Sequence, residues 1–135
     1  TASIGHGYTY SGHPVGCAAG IAALAETRRL KLNENAAARG EELIAALQAL
    51  QSKHQIVGDV RGKGLMAALE LVEDRTTKKA LDKTRLATIA ETAYEAGVMI
   101  RVSGNNIILS PPLILTAADV TKIAQALDAG LSAAG

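Results

Sequence analysis

The 135-residue chain has no phenylalanine and no tryptophan, only three tyrosines, and a single cysteine. With aromatics at 2% and apolar residues at 48%, its core has to be built from Ala, Leu, Ile and Val, which favours closely packed helices over a bulky aromatic centre. One cysteine excludes an internal disulfide; in its Ala- and Gly-rich surroundings Cys17 reads as a buried small hydrophobe, and a reducing, cytoplasmic setting is expected. A formal net charge of +1 leaves no basic excess to argue for nucleic acid or an anionic membrane as partner. No apolar run reaches the roughly 18 to 20 residues that cross a bilayer, and the first residues lack the pattern of a signal peptide. The chain opens on Thr1 rather than Met and enters a patterned segment at once, so an upstream portion is expected.

Charge is also missing locally. The first residue among Asp, Glu, Lys and Arg is Glu26, and none lies between Arg101 and Asp119. Both stretches are expected to be covered, and a single small domain cannot easily bury the two by itself. Packing on the rest of a longer chain or on a second subunit accounts for the first; an ordered N-terminal loop is the alternative.

What is present reads as one domain. His13-Pro14 opens an Ala-rich helix reaching to about Lys31, with Pro at its first turn. Asn33 or Asn35 caps a second helix that ends near Lys53 and carries a stripe of Leu43, Leu47 and Leu50. "QIVGDV" and "GLMAALELV" have strand character, joined by "RGK", with Leu65, Ala67, Leu69 and Leu71 alternating against Met66, Ala68 and Glu70. The polar connector "EDRTTKKALDK" reads as a solvated loop before a helix over Thr84 to Ala96, stopped by Gly97. "VMIRV" and "NIILS" form two short strands around "SGN". Thr116 and Asp119 make a capping box for a last helix with Val120, Ile123, Leu127 and Leu131 inward. The expected class is α+β: a small, largely antiparallel sheet covered on one face by helices and preceded by a long N-terminal helix.

Few motifs carry chemistry. "GKGLMA" has the glycine spacing of a dinucleotide fingerprint, with Asp82 near the distance of a ribose-binding acid, but it runs into a strand where the fingerprint must open a helix, so a tight turn is the better reading. P-loop, zinc-protease, zinc-ribbon and serine-hydrolase motifs are missing, and His6, His13 and His54 form no ligand cluster, so no metal is expected. "HGYTYSGHPVG" differs: Thr9 and Ser11 supply hydroxyls, glycines expose N–H groups, and a helix N-terminus follows, which together suit a phosphate or an ordinary loop feeding a helix. Arg101, in a short apolar strand, either meets a carboxylate or phosphate or reaches water from an edge.

Three blocks, "HGYTYSGHPVGCAAGIAAL", "VRGKGLMAALELVEDRTTKK" and "GVMIRVSGNNIILSPPLILT", in this order, resemble the C-terminal part of class III pyridoxal-phosphate (PLP) aminotransferases of fold type I. "TYSGHP", with His13 where many relatives have Asn, is more similar to the ω-amino-acid:pyruvate branch. The resemblance implies that residues 1–13 are a loop touching cofactor and partner subunit, and that 14–135 are the C-terminal small domain. It implies that Thr9 binds the PLP phosphate across a homodimer interface and that Arg101 receives the substrate carboxylate or swings aside for an amine. The family's cofactor-binding lysine and pyridine-pairing Asp lie upstream of the threonine, so neither is expected in this chain, no catalytic residue is assigned to it, and it is expected to be inactive alone. The parent would pass an amino group from an ω-amino acid or amine to a keto acid such as pyruvate. The alternatives are a glutamate-1-semialdehyde-type aminomutase and a non-catalytic binding or dimerisation module of the same fold.

Overall fold

The computed structural model describes residues 5–135. They fall into two compact units, divided between Asn33 and Glu34. The first carries α1, Pro14–Arg29, which starts where Pro14 fixes the first helical φ and ends before Lys31 at φ 50°. No residue of α1 is buried, and Cys17 is exposed, not the buried hydrophobe its Ala-rich context suggests. Small residues give α1 its helical propensity.

The second unit holds most of α2 (Leu32–Lys53), followed by β1 (Val57–Lys63), β2 (Met66–Asp74), β3 (Lys79–Ala80), α3 (Lys83–Glu95), β4 (Arg101–Ser103), β5 (Asn106–Leu109) and α4 (Ala117–Ala134). The sheet is antiparallel in the order β1-β2-β5-β4, with β3 added on β2. This is the expected α+β arrangement. Along β2 the alternation decides the faces: Ala67, Leu69 and Leu71 are buried, and they align with Val57, Val60 and Gly62 of β1 and with Ile107 and Leu109 of β5. That face meets Leu43, Leu47 and Leu50 of α2, Leu86 and Ile89 of α3, and Val120, Ile123, Leu127 and Leu131 of α4 in one core. The opposite face, with Asp59, Arg61, Ala68, Glu70, Asn106, Ile108, Arg101 and Ser103 in register, contributes none of these residues to the core that the second unit's helices form among the described residues.

Three expectations are corrected. "RGK" is not a turn but the end of β1; the turn lies at Gly64, φ 55°, which a residue with a side chain adopts at a cost. The polar connector is not wholly loop: Asp74 accepts from the Thr77 N–H at 2.6 Å, Lys78 turns at φ 56°, and β3 then pairs back on β2. Neither Asn33 nor Asn35 caps α2, which begins before both; the Asn35 amide instead donates to the carbonyls of Leu113 at 2.8 Å and Leu115 at 2.9 Å. α3 and α4 are capped through side chains. Asp82, spaced like a ribose acid, accepts from the Thr84 N–H at 2.8 Å, and Thr116 and Asp119 complete the capping box. The Thr84 hydrogen bond holds the Asp82 carboxyl below its ordinary range.

Candidate functional site

The first candidate site is the approach to α1. A proline at 14 forces His13 into extended backbone, φ −61° and ψ 122°, so the helix starts without a side-chain cap. Before it the chain closes two turns: Ser11 N–H donates to the Tyr8 carbonyl at 2.9 Å, His13 N–H to the Tyr10 carbonyl at 3.1 Å, and Gly12 supplies φ 74°. The Ser11 hydroxyl is consumed within the turn, accepting from the Tyr8 N–H at 3.0 Å. Thr9, at the tip, is exposed. The first helical hydrogen bond runs from Cys17 N–H to the His13 carbonyl, and no acidic side chain stands in the first turn. The N–H groups of Val15 and Gly16 thus face outward at the positive end of the helix dipole, beside a loop in which the Thr9 hydroxyl is exposed and the Ser11 hydroxyl keeps its own proton to donate. Such a loop fits the phosphate end of PLP: hydroxyl and amide donors, and no carboxylate.

The second candidate site is the uncovered sheet face around Arg101. Gly97 at φ 81° ends α3, and β4 begins four residues later at the sheet edge, exposed along its length. Arg101 pairs with Ile108 of β5, which pairs with Ala68 of β2, which pairs with Arg61 of β1. All four share one face. A cleft of about 1110 Å³ has Arg101 in its lining, together with the apolar Met99, Ile108, Pro111 and Ile114, the Ser110 hydroxyl side chain, and Asp119 and Lys122 of α4. Its mouth leaves Met99 and Ile114 exposed, while Leu115 next to it is buried. Of the second uncharged stretch, then, only part is buried among the described residues.

The arginines of residues 34–135 separate sharply. Arg39 pairs with Glu42, Arg75 donates to the carbonyls of Gln51, His54 and Gln55, Arg85 donates to the Ala134 carbonyl, and Arg61 reaches three acceptors. Within this segment the Arg101 side chain is the one guanidinium that makes no hydrogen bond or ion pair among the described residues, as is also true of Arg28 in α1. The structure therefore brings Arg101 to an exposed edge with its guanidinium unspent, and it sets Thr9 on a separate loop of the first unit. Sequence reasoning missed Arg61, Glu70 and Asn106, which surround the same face; continuing the period-two count of β2 back through "VRGK" would have placed Arg61 there.

A family model for class III aminotransferases matches residues 1–131, so the chain belongs to the class III aminotransferase family. The taurine–pyruvate aminotransferase of Bilophila wadsworthia is 38% identical over 127 residues, 89% of this chain and 28% of that protein. Ethanolamine-phosphate phospho-lyase homolog 1 of Caenorhabditis elegans is 35% identical over 128 residues, 93% of this chain and 27% of that protein. An amine transaminase from an uncultivated Pseudomonas species, solved in its PLP-bound form, matches with a TM-score of 0.90 and 47% identity over 98% of this chain and 30% of that one. The chain spans less than a third of the length of each of these relatives.

Proposed function

We propose that the chain is the C-terminal portion of a PLP-dependent aminotransferase that moves an amino group from an ω-amino acid or an amine to a keto acid such as pyruvate. It would act as a cytoplasmic homodimer, with residues 1–13 as the loop that reaches cofactor and partner and 14–135 as the small domain. The observation that carries this reading is the unspent guanidinium of Arg101 on an open sheet face, beside a cleft of molecular size. The taurine–pyruvate and amine transaminase relatives support it.

In this reading each residue has a defined task. When bound, PLP supplies the electron sink that lets an amino group leave one carbon and join another. Thr9, through its hydroxyl and amide, and the free N–H groups of the α1 N-terminus hold the phosphate and so fix the ring relative to the subunit. Arg101 grips a substrate carboxylate with two parallel N–H···O bonds, which orients the amino group at the far end of an ω-amino acid; for an uncharged amine the side chain turns out to water from its edge strand. Met99, Ile108 and Ile114 give the cleft an apolar lining that raises the strength of that charged contact. No side chain of this chain is assigned the proton transfer.

The phospho-lyase relative favours a second reading, a parent that needs no keto-acid acceptor, as an aminomutase also would not. The test is alanine formation by the full-length protein from pyruvate with a carboxylate-bearing ω-amino acid or a simple amine as donor. Alanine formed in step with loss of the donor is the expected result. Donor converted without any pyruvate consumed would establish the second reading, and no conversion of either donor would leave a binding module.

A further inference from the structure

Two arginines share the uncovered face of the sheet, and the acceptors between them are distributed one-sidedly. Arg61 Nη1 donates to Asp59 Oδ2 at 2.8 Å and Glu70 Oε2 at 3.1 Å, and Nη2 donates to Asn106 Oδ1 at 2.7 Å. The strand register explains why these three lie together. Asp59, Glu70 and Asn106 form one cross-strand row that ends on Ser103, next to the row of Arg61, Ala68, Ile108 and Arg101. Arg61 and Arg101 thus flank the same acceptors from opposite edges. Asn106 is the diagonal neighbour of Arg101, at the spacing of about 7 to 8 Å that a long side chain spans. Directly opposite Arg101 stands Ile108, which accepts nothing, and beyond it Ala68 leaves the row shallow.

We propose that Arg61 is a positioning residue for substrate recognition: by holding Asp59, Glu70 and Asn106 it keeps the acceptors of this face from capturing Arg101, which stays free for a substrate carboxylate. The proposal rests on the reading of Arg101 given above. The Arg61 guanidinium is the right device for this. Its planar fork engages three acceptors at once, which an ammonium on a flexible stem does with poorer geometry. Its charge also offsets Asp59 and Glu70, the two carboxylates of the adjoining cross-strand row. Without Arg61, the Asn106 amide oxygen and then Glu70 become partners for Arg101, and a substrate carboxylate has to displace them. An uncharged amine, for which Arg101 must leave the cleft, has no such competition to overcome.

The experiment is steady-state kinetics of the full-length protein with two donors of similar size, one bearing a carboxylate and one without. Arg61→Met should raise KM for the carboxylate donor about two- to fivefold, the range that corresponds to an exposed ion pair, and change KM for the amine less. Adding Asn106→Leu, which removes the acceptor nearest Arg101, should return the carboxylate KM toward the parent value, a rescue that a purely structural role for Arg61 would not give. If Arg61→Met does not fold, Arg61→Lys, which loosens the hold on Asn106, must shift the KM ratio in the same direction by a smaller factor. Arg101→Ala separates the two levels of the argument. If it lowers both donors equally, the reading of Arg101 falls; if it is selective for the carboxylate while the Arg61 variants leave the ratio unmoved, the positioning role falls.

Discussion

His54 Nε2 lies 2.6 Å from Asp128 Oδ1, and Lys53 Nζ meets Asp128 Oδ2, also at 2.6 Å, so the end of α2 is tied to the middle of α4 by one carboxylate. The hydrogen bond from Lys53, and then that from His54, holds the Asp128 carboxyl below its ordinary value of 3.8. A group whose folded pKa is depressed stabilises the fold above its unfolded value and loses that contribution as the pH falls through the folded value.

The acid limb of the stability curve should therefore depend on this residue. In the full-length protein Asp128→Asn should cost at most about 1 kcal/mol at neutral pH, since roughly a third of the side chain remains in water. The difference from the parent should begin to shrink below about pH 4 and vanish only as the pH falls through the depressed folded value, where the parent has also taken up its proton. Denaturant midpoints at neutral and acid pH check this. A difference that stays constant with pH would mean that the side chain contributes packing rather than charge.

Close approach of α2 to the β1–β2 turn makes a second point of failure. A Cβ on Gly40 would fall inside the backbone of Gly64, and the turn cannot retreat freely because Gly64 itself stands at φ 55°. Gly40→Ala should destabilise by about 1 to 3 kcal/mol despite the better helix propensity of alanine, as overpacking in a tight contact does. Thermal melting gives the answer. A raised melting temperature would show that the helix can lift away from the turn.

Thr9 is tested by cofactor retention. In the full-length protein, Thr9→Ala removes a hydrogen bond to a doubly charged group, worth about 1.5 to 3 kcal/mol. Dialysis against buffer without PLP should strip the variant at concentrations where the parent stays loaded, and Thr9→Ser should retain most of the affinity. Equal retention by Thr9→Ala and parent would return the loop to an ordinary helix entry.

Local chemistry was legible in the sequence wherever the partners are close along the chain. Leu65, Ala67, Leu69 and Leu71 are buried as their alternation requires, the Thr116–Asp119 box forms, and Gly97 ends α3 with the positive φ that only glycine adopts readily. What depends on distant partners was not legible. Asn35 looks like a cap, yet its amide serves carbonyls at Leu113 and Leu115, and β3 is a strand only because β2 is there to pair with it. Cys17 shows the same limit from the other side, since an Ala-rich helix predicts burial only if something packs on it. For the site, residue chemistry raised both Thr9 and Arg101 but left each with two readings; the resemblance chose between them, and the structure adds that the Arg101 side chain has no partner among the described residues. The Arg61 network follows from strand register alone, which no single stretch of sequence contains.

The central claim is that Arg101 is held open for a carboxylate. The most direct measurement is KM of Arg101→Ala in the full-length protein for a carboxylate-bearing donor and for a simple amine. Loss of a bidentate, charge-assisted contact should raise KM for the carboxylate donor by at least tenfold, equivalent to about 1.4 kcal/mol, and leave the amine far less affected. Equal effects on both donors would contradict the account and make Arg101 an ordinary residue of an exposed edge strand.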